Sequence, residues 1–240
     1  MTEPSADLAE NHLKIHPQEF IPVNQIASLT KEQLIIPPPP ETKAFSSWFK
    51  NSQVVDEQGK PLVVYHGASG DAVFAEFDLD RVEGGIHFGS LEQSKTAAKP
   101  KAINSVSQQA RIIPCYLSIQ NPLAMKDLHS FNYDNFLQEL SERKIIKKGQ
   151  LLSQKIPSLI NEVVMTLEEF TNSNPKFYEK YHKKQNTRLK KLLIKLGFDG
   201  IMYENTFEGK GKSFIIFNPE QCKSIYNDGS FDPQNQNIYS

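Results

Sequence analysis

Two histidines lie beside glycines at the ends of short apolar segments. His66 follows the apolar residues 62–65 and precedes Gly67, which predicts a strand ending in an imidazole next to backbone that another group can approach closely. His87 lies in a second glycine-rich segment, Gly84-Gly85-Ile86-His87-Phe88-Gly89, which lacks the strand–turn–helix context of a Rossmann dinucleotide loop. Each histidine could be a structural residue with satisfied hydrogen bonds or a residue that binds a ligand. The two segments together favour a cleft and do not identify its ligand.

The other motifs argue against two further kinds of site. Gly211-Lys212-Ser213 ends like a phosphate-binding P-loop, but Thr206 stands where the loop needs its first glycine, and the triplet leads into a predicted strand. Its amides would not form an anion-binding nest, so a nucleoside triphosphatase is excluded. Cys115 and Cys222 give neither a disulfide framework nor the spacing of a zinc site, and no metal is expected.

The composition predicts a soluble globular chain. Of its 240 residues, 38% are hydrophobic and 23% are charged, which suits one domain with extensions or an insertion. No apolar run approaches the roughly 20 residues that span a bilayer. The acidic, polar start has no feature of a cleavable secretory signal, so we expect the protein to act in the cytoplasm. It would be either a plain cytoplasmic protein or one secreted into host cytosol without a cleavable signal.

Positive charge is concentrated between Arg143 and Lys195, where thirteen Lys and Arg residues accompany four Glu residues. A basic face of this kind can steer an anionic partner, or it can be a solvated helical surface. The sequence has neither the interleaved aromatic residues nor the recognisable module of a nucleic-acid-binding protein. We therefore do not expect nucleic acid as a partner.

The chain divides into an arm, a domain and a tail. Residues 1–40 are polar and end in four prolines, which predicts an arm or linker that could still pack on the domain. Residues 41–228 form the predicted domain, with a helical insertion at about 130–185, and the polar residues 229–240 are predicted to be flexible. Strands separated by a helical block indicate an α+β fold. One apolar stripe marks the insertion: Leu159, Ile160, Val163, Val164 and Leu167.

Several elements within the domain follow from periodicity and capping residues. Ser90 is a predicted N-cap for a helix running toward Ala98, and Gly197 is a predicted end for the last helix. Pro114 argues for an edge position or a strand start. The predicted helices are 42–50, 91–98 and 187–196, and the predicted strands are 62–66, 86–88, 112–119, 198–203 and 213–217.

Taken in order, these segments resemble the ADP-ribosyltransferase superfamily on the diphtheria-toxin and poly(ADP-ribose) polymerase side, in particular the domain of phage-borne polyvalent proteins. The resemblance implies an α+β fold with a split β-sheet core, which holds NAD⁺ as co-substrate between the strands of His66 and Gly85. The matching stretches are residues 48–67, 85–90, 114–123, 196–203 and 213–224.

The resemblance also implies roles for residues of the cleft, which Tyr65-His66-Gly67 marks. His66 would hydrogen-bond a ribose hydroxyl of the adenosine half, and Gly67 would offer its amide and carbonyl to the nicotinamide carboxamide. The bare Cα of Gly67 would let the flat carboxamide reach the backbone. The family's stacking tyrosine falls at Ala98, so His87 or Tyr203 is expected to supply an aromatic face, unless the register differs.

The catalytic carboxylate is also inferred from the resemblance. The usual glutamate opens the last strand, where this chain has Ser213. Glu208 and Glu204 are the nearest carboxylates, and related phage-type domains show a similar Tyr-x-Asn followed by Glu-Gly. We therefore favour Glu208 as the catalytic residue, while a solvated loop glutamate remains the alternative.

The expected function is that of a mono-ADP-ribosyltransferase that modifies a side chain on a protein target and releases nicotinamide. An inactive relative that binds NAD⁺ or a partner, and an NAD⁺ glycohydrolase, are the alternatives. The phage-type resemblance fits a toxin or effector acting in host cytosol, and it equally fits a plain cytosolic or phage protein. The target protein is not identified by the sequence.

Overall fold

A computed structural model describes residues 20–71, 75–79, 85–129, 131, 133–146 and 187–240. Most of the predicted helical insertion, including its apolar stripe, lies outside these residues, as does much of the basic segment. The described residues form an α+β fold with two β-sheets, as predicted. Its elements are β1 (Ile21–Pro22), α1 (Lys43–Phe49), β2 (Val64–Ser69), β3 (Ile86–Phe88), α2 (Leu91–Ile103), β4 (Gln109–Leu117), β5 (Pro122–Met125), α3 (Tyr133–Glu142), α4 (residues 187–195), β6 (Gly200–Asn205), β7 (Gly211–Ile216) and β8 (Cys222–Ser224).

The two sheets meet at one short junction. The first sheet has the order β1-β4-β2, with β8 also paired to β4, and all its described pairs are antiparallel. The second has the order β3-β7-β6-β5, in which only the β5–β6 pair is parallel. Tyr65 of β2 and Gly89, directly after β3, exchange two backbone hydrogen bonds of 2.8 and 3.0 Å. This junction brings the predicted strands of His66 and His87 side by side.

β4 is a central strand, so the edge position predicted from Pro114 is wrong. Pro114 lies opposite Tyr65, whose backbone N–H and C=O bond to Gly89 and not to β4. The nitrogen of Pro114 therefore points to the other side of β4. There β8 pairs from Cys115 onward and β1 pairs only with residues 109 and 110. Ile225, directly after β8, still donates its N–H to the Pro114 carbonyl at 3.2 Å, so the β4–β8 pairing ends at the residue that has no N–H to return.

Capping residues begin the two helices that pack near this junction. The Thr42 hydroxyl accepts a hydrogen bond from the Phe45 N–H at 3.1 Å and starts α1. Ser90 starts α2 through a capping box with Gln93, as a serine followed by glutamine at the third helical position favours. The α2 helix continues to Ile103, beyond the predicted end, and includes Pro100.

Both predicted extensions contribute to the core where the structure describes them. In the arm, Ile21, Ile26, Leu29 and Leu34 are buried in a cluster with residues of α2 and β4. Ile21 belongs to β1, Ile26 begins the 3₁₀ turn Ile26–Ser28, and Leu29 and Leu34 directly follow the turns Ile26–Ser28 and Lys31–Gln33. No helical or strand period reveals this arrangement.

The C-terminal segment differs from the flexible tail predicted at 229–240. Phe231 and Ile238 are buried at 3% and 0% exposure. Ile238 accepts a hydrogen bond from the Ser224 N–H and donates to the Ala75 carbonyl, both at 2.8 Å. The Lys223 ammonium also donates to two carbonyls of this segment. Isolated apolar residues in a polar stretch therefore fix it, because each fills a core site.

The second sheet is covered by α3 and α4. Leu189 and Leu193 of α4 are buried in a cluster with α3, β5 and β6, in agreement with their predicted shared face. Gly197 ends this helix with φ of 93°, the left-handed conformation expected of a terminating glycine. Within the part of the chain that the structure describes, no helix combines the length and apolar character needed to cross a membrane.

Candidate active site

A cavity of about 640 Å³ lies between β2, β3, α2 and the loop that joins β6 to β7. This volume falls within the roughly 300–1,000 Å³ of small-molecule sites. Seven of the residues predicted from the sequence line it: Tyr65, His66, Gly67, His87, Tyr203, Glu208 and Ser213. Gly85 and the alternative carboxylate Glu204 are not among the lining residues.

Gly85 has a backbone role in the described structure. It adopts φ of +131°, and a Cβ there would come within 2.4 Å of the Ile216 carbonyl oxygen. The glycine therefore allows the chain to enter β3 close against β7. The predicted cofactor-binding role of Gly85 stays a prediction beside this packing role.

The two candidate carboxylates lie on different sides of β6. Side chains alternate along a strand, so Tyr203 and Glu204 point to opposite faces. Tyr203 lines the cavity, while Glu204 is exposed opposite Lys212 of β7. Glu208 lies beyond the strand, in the loop that returns to the cavity. Of the two, the structure brings only Glu208 to His66.

His66 is held as a neutral imidazole. Its Nδ1 lies 2.8 Å from the carbonyl oxygen of His87, and because a carbonyl only accepts, Nδ1 carries the proton and Nε2 carries a lone pair. Burial, followed by the nearby Lys101 charge, lowers the pKa of His66 to about 3. The rings of Phe77 and Phe88 pack against it at centroid distances of 5.1 and 5.6 Å. The side chain can therefore accept a hydrogen bond from a hydroxyl at neutral pH.

Gly67 lets α2 approach β2. A Cβ at this position would lie 2.1 Å from the Ser94 carbonyl oxygen and 3.0 Å from the Ala98 Cβ. The missing side chain thus points to the helix, which differs from the expectation that it clears a path for a carboxamide. Ala98 is fully buried in this contact, so α2 offers no stacking ring there. The cavity is lined instead by its neighbours Ala97, Pro100 and Lys101.

The backbone of Gly67 still faces the cleft. Tyr65 directs its N–H and C=O to Gly89, away from β4, and the two-residue period of a strand directs those of Gly67 to the same edge. The Gly67 carbonyl accepts a hydrogen bond from the Lys101 ammonium at 2.8 Å. At this edge of β2, the Gly67 carbonyl is therefore an acceptor that already has the Lys101 ammonium as one donor.

Asn205 positions Glu208. Its side-chain oxygen accepts the N–H groups of Phe207 and Glu208 at 3.1 and 3.0 Å, and this turns the chain at the end of β6. Its amide nitrogen donates to the Glu208 carboxylate at 3.0 Å and to the Ser213 hydroxyl at 3.0 Å. Asn205 is only 3% exposed, so these four bonds satisfy a buried amide and fix the carboxylate.

Gln93 fastens the same loop to α2. Its side-chain oxygen accepts the Ser90 N–H at 2.7 Å and the Ser213 hydroxyl at 3.1 Å. Its amide nitrogen donates to the carbonyls of Gly209 and Gly211 at 2.9 and 3.1 Å. Gln93 and Asn205 thus meet at the Ser213 hydroxyl. Ser213, at the position where the resemblance implies a glutamate, is a link in this network.

Tyr203 and His87 form the far wall of the cavity. The Tyr203 hydroxyl lies 3.3 Å from Nδ1 of His87, and the two rings are inclined at 77°. The ring of Phe131 packs on Tyr203 at a centroid distance of 4.6 Å. Burial raises the pKa of Tyr203, so this side chain remains a neutral phenol across the physiological range. Both predicted aromatic candidates therefore lie at the cavity.

Three residues of the site carried no assigned role in the sequence. Gln93 follows Ser90 by three positions, and this capping-box spacing is a signal for the N-terminus of α2 and not for a loop contact. Asn205 is part of the Tyr-x-Asn pattern, but its spacing to Glu208 does not reveal the hydrogen bond. Lys101 follows a proline in a polar helix, and no sequence signal distinguishes it from a surface lysine.

Comparison with known proteins identifies one family. The family described as ADP-ribosyltransferase in polyvalent proteins matches residues 56–231, which include both sheets except β1 and every cavity residue discussed above. Searches of curated proteins and of solved structures gave no match. The match extends over more than half of the 240 residues and agrees with the split two-sheet fold. The chain therefore belongs to the ADP-ribosyltransferase domain family of polyvalent proteins.

Proposed function

We propose that the protein is a mono-ADP-ribosyltransferase that transfers ADP-ribose from NAD⁺ to a side chain of a protein target. One observation carries this proposal: the carboxylate of Glu208, fixed by Asn205, lines the same cavity as His66 and the Gly67 backbone edge. ADP-ribosyltransferases use NAD⁺ as co-substrate, and these groups match its two ribose-bearing halves. The proposal is mono-ADP-ribosylation, because no described feature supports an acceptor site for a growing polymer.

Two contacts would orient NAD⁺. Nε2 of His66 is an acceptor in the tautomer that the His87 carbonyl enforces, so it would receive a hydrogen bond from a hydroxyl of the adenosine ribose. The Gly67 edge would receive the carboxamide at the other end of the dinucleotide. The bond to Lys101 leaves the Gly67 carbonyl a second lone pair for the carboxamide N–H.

Glu208 would act on the bond that breaks. The nicotinamide–ribose bond cleaves through an oxocarbenium-like state, so an adjacent carboxylate stabilises the positive charge that develops on the sugar. The electron pair of the bond leaves with the nicotinamide nitrogen. The side chain of the target then forms a bond to the same ribose carbon and loses its proton, which Glu208 can accept. Its fixed orientation serves both steps.

An inactive NAD⁺-binding relative is the second candidate. Ser213 stands at the family's usual glutamate position and is 2% exposed, with its hydroxyl engaged by Asn205 and Gln93. Ala98 is buried where the family has a stacking tyrosine. If these departures abolish catalysis, the protein would bind NAD⁺ without releasing nicotinamide in the presence of its target. The toxin or effector role remains a prediction.

Labelled NAD⁺ incubated with cell extract tests the proposal. We expect Glu208→Gln to reduce label transfer by at least about 100-fold while NAD⁺ affinity by calorimetry stays within about threefold. Glu204→Gln is the matched control, because this carboxylate is exposed and lies four residues away on the opposite side of β6. Equal transfer by Glu208→Gln and the wild type would refute the assignment. Nicotinamide release without any protein acceptor would identify a glycohydrolase.

A further inference from the structure

Lys101 is the one lysine or arginine among the described residues that line the cavity. The other ionic groups there are carboxylates, those of Asp71, Glu76, Asp78 and Glu208. The Lys101 ammonium lies 2.8 Å from the carbonyl oxygen of Gly67. A fixed positive charge therefore lies at the end of the cavity where that backbone acceptor is found.

This charge faces His66 and Glu208. Lys101 binds the carbonyl of Gly67, the residue next to His66, and its charge adds to the effect of burial in lowering the pKa of His66. Burial lowers the pKa of Lys101, and the attraction of Glu208 opposes part of this lowering. The cavity thus contains a cation at the Gly67 edge and an anion at the Glu208 loop, and the two act on each other without forming a direct ion pair among the described contacts.

We infer that Lys101 is a specificity-determining residue that disfavours the positively charged nicotinamide ring of bound NAD⁺ and favours its departure as a neutral ring. The inference rests on the proposed function, which puts the carboxamide on the Gly67 carbonyl. A carboxamide nitrogen and the Lys101 ammonium that share one carbonyl lie about 5 Å apart. The pyridinium ring that carries the carboxamide would then lie beside a like charge. Repulsion at that distance, in a cavity partly closed to water, lowers affinity for the charged ring.

The same repulsion is relieved as the reaction proceeds. When the bond between the nicotinamide nitrogen and the ribose carbon breaks, both electrons stay on nitrogen and the ring loses its positive charge. The charge develops on the ribose carbon, on the side of Glu208. An ammonium at the nicotinamide end and a carboxylate at the ribose end therefore favour the same displacement of charge. Lys101 therefore destabilises bound NAD⁺ more than it destabilises the transition state.

Binding of three ligands to three variants tests this inference. NAD⁺ and NADH differ chiefly in the charge of the nicotinamide ring, and ADP-ribose retains the diphosphate but lacks the ring. We expect Lys101→Gln to bind NAD⁺ about five- to tenfold more tightly than the wild type, with NADH and ADP-ribose unchanged within about twofold. Its kcat for transfer should fall about tenfold together with KM. Lys101→Arg keeps the charge and should behave as the wild type.

Lys99→Gln is the matched control, since Lys99 and Lys101 are both exposed lysines of the same helix and only Lys101 lines the cavity. It should leave all three affinities unchanged, which removes the effect of overall net charge. Equal weakening of NAD⁺, NADH and ADP-ribose by Lys101→Gln would show that Lys101 binds the diphosphate and would overturn the inference. An unchanged ratio of NAD⁺ to NADH affinity would overturn it too. Failure of the wild type to bind any of the three would refute the proposed function, and the inference with it.

Discussion

The side-chain amide of Asn205 makes hydrogen bonds to both the backbone N–H and the carboxylate of Glu208. One buried residue at the end of β6 thus shapes the turn of the loop and sets the direction of the carboxylate that the turn carries. Because the turn and the carboxylate depend on the same amide, the loop cannot relax locally without releasing Glu208.

Substitution of Asn205 should separate catalysis from binding. In Asn205→Ala the carboxylate loses its donor, so we expect kcat for ADP-ribose transfer to fall about 10- to 100-fold while NAD⁺ affinity stays within about threefold. Loss of the buried bonds should also lower the free energy of unfolding by about 1–3 kcal/mol, measured by urea titration. Asn121→Ala, at an exposed asparagine that bonds Gly197, is the control. Full turnover by Asn205→Ala would contradict the positioning role.

Gln93 should govern how firmly the 206–211 loop is held. Gln93→Leu keeps a side chain of similar length but loses the donors to Gly209 and Gly211, so we expect trypsin to cut after Lys210 at least about threefold faster. Mass spectrometry of timed digests measures this rate. Gln58→Leu changes an exposed turn residue and should digest as the wild type. An unaltered rate in Gln93→Leu would mean that other contacts hold the loop.

Gly67 should tolerate no side chain, because a Cβ there would clash with the backbone of α2. The Cβ of Gly67→Ala would lie 2.1 Å from the Ser94 carbonyl oxygen, so α2 must shift away from β2. We expect a loss of about 2–3 kcal/mol in the free energy of unfolding. Removing the Ala98 methyl, 3.0 Å from the same Cβ, should not restore stability in Gly67→Ala/Ala98→Gly. Rescue by the double substitution would show that the side chain is the real obstacle.

His66 should make stability depend on pH. Its folded pKa is about 3 against an ordinary 6.5, so between these values the unfolded chain binds a proton that the folded chain does not. The contribution of neutral His66 to the free energy of unfolding is therefore complete above pH 6.5. This contribution is lost as the pH falls below 6.5, by up to about 1.4 kcal/mol per pH unit. Between pH 7.5 and 5.0, urea titration should show the wild type losing about 2 kcal/mol more than His66→Gln. Equal losses would show that His66 is not held neutral.

The sequence predicted elements whose signals are local. Thr42 and Ser90 were expected near helix starts and are N-caps, and Ile86–Phe88 is the strand predicted. The edge assignment of β4 was wrong because the effect of Pro114 depends on which neighbour its nitrogen faces, and this depends on the Tyr65–Gly89 junction. Which neighbour a residue of a strand faces depends on tertiary structure, and no periodic pattern in the sequence indicates it.

The residues of the site also divide into those that a pattern in the sequence indicates and those that only tertiary contacts reveal. His66 and Gly67 were singled out at the end of an apolar strand, and the resemblance added their roles and Glu208. All three line one cavity, while their roles stay predictions. Gln93 bonds Gly209 across 116 positions, and a contact over that separation leaves no pattern in a single sequence. That Glu208 and not Glu204 lines the cavity follows only when β6 is known to direct Tyr203 into it. The catalytic role of Glu208 stays a prediction.

The C-terminal segment has a practical consequence for work on this protein. Ile238 joins β8 to Ala75, and the short stretch after Ala75 includes Phe77, whose ring packs edge-on against His66. The last few residues thus help to hold the segment that contains Phe77, and the Phe77 ring contacts the His66 imidazole. Under the proposed function, His66 binds the adenosine half of NAD⁺. We therefore expect a chain shortened before residue 238, or a label that displaces Ile238, to lower NAD⁺ affinity while the sheets remain intact.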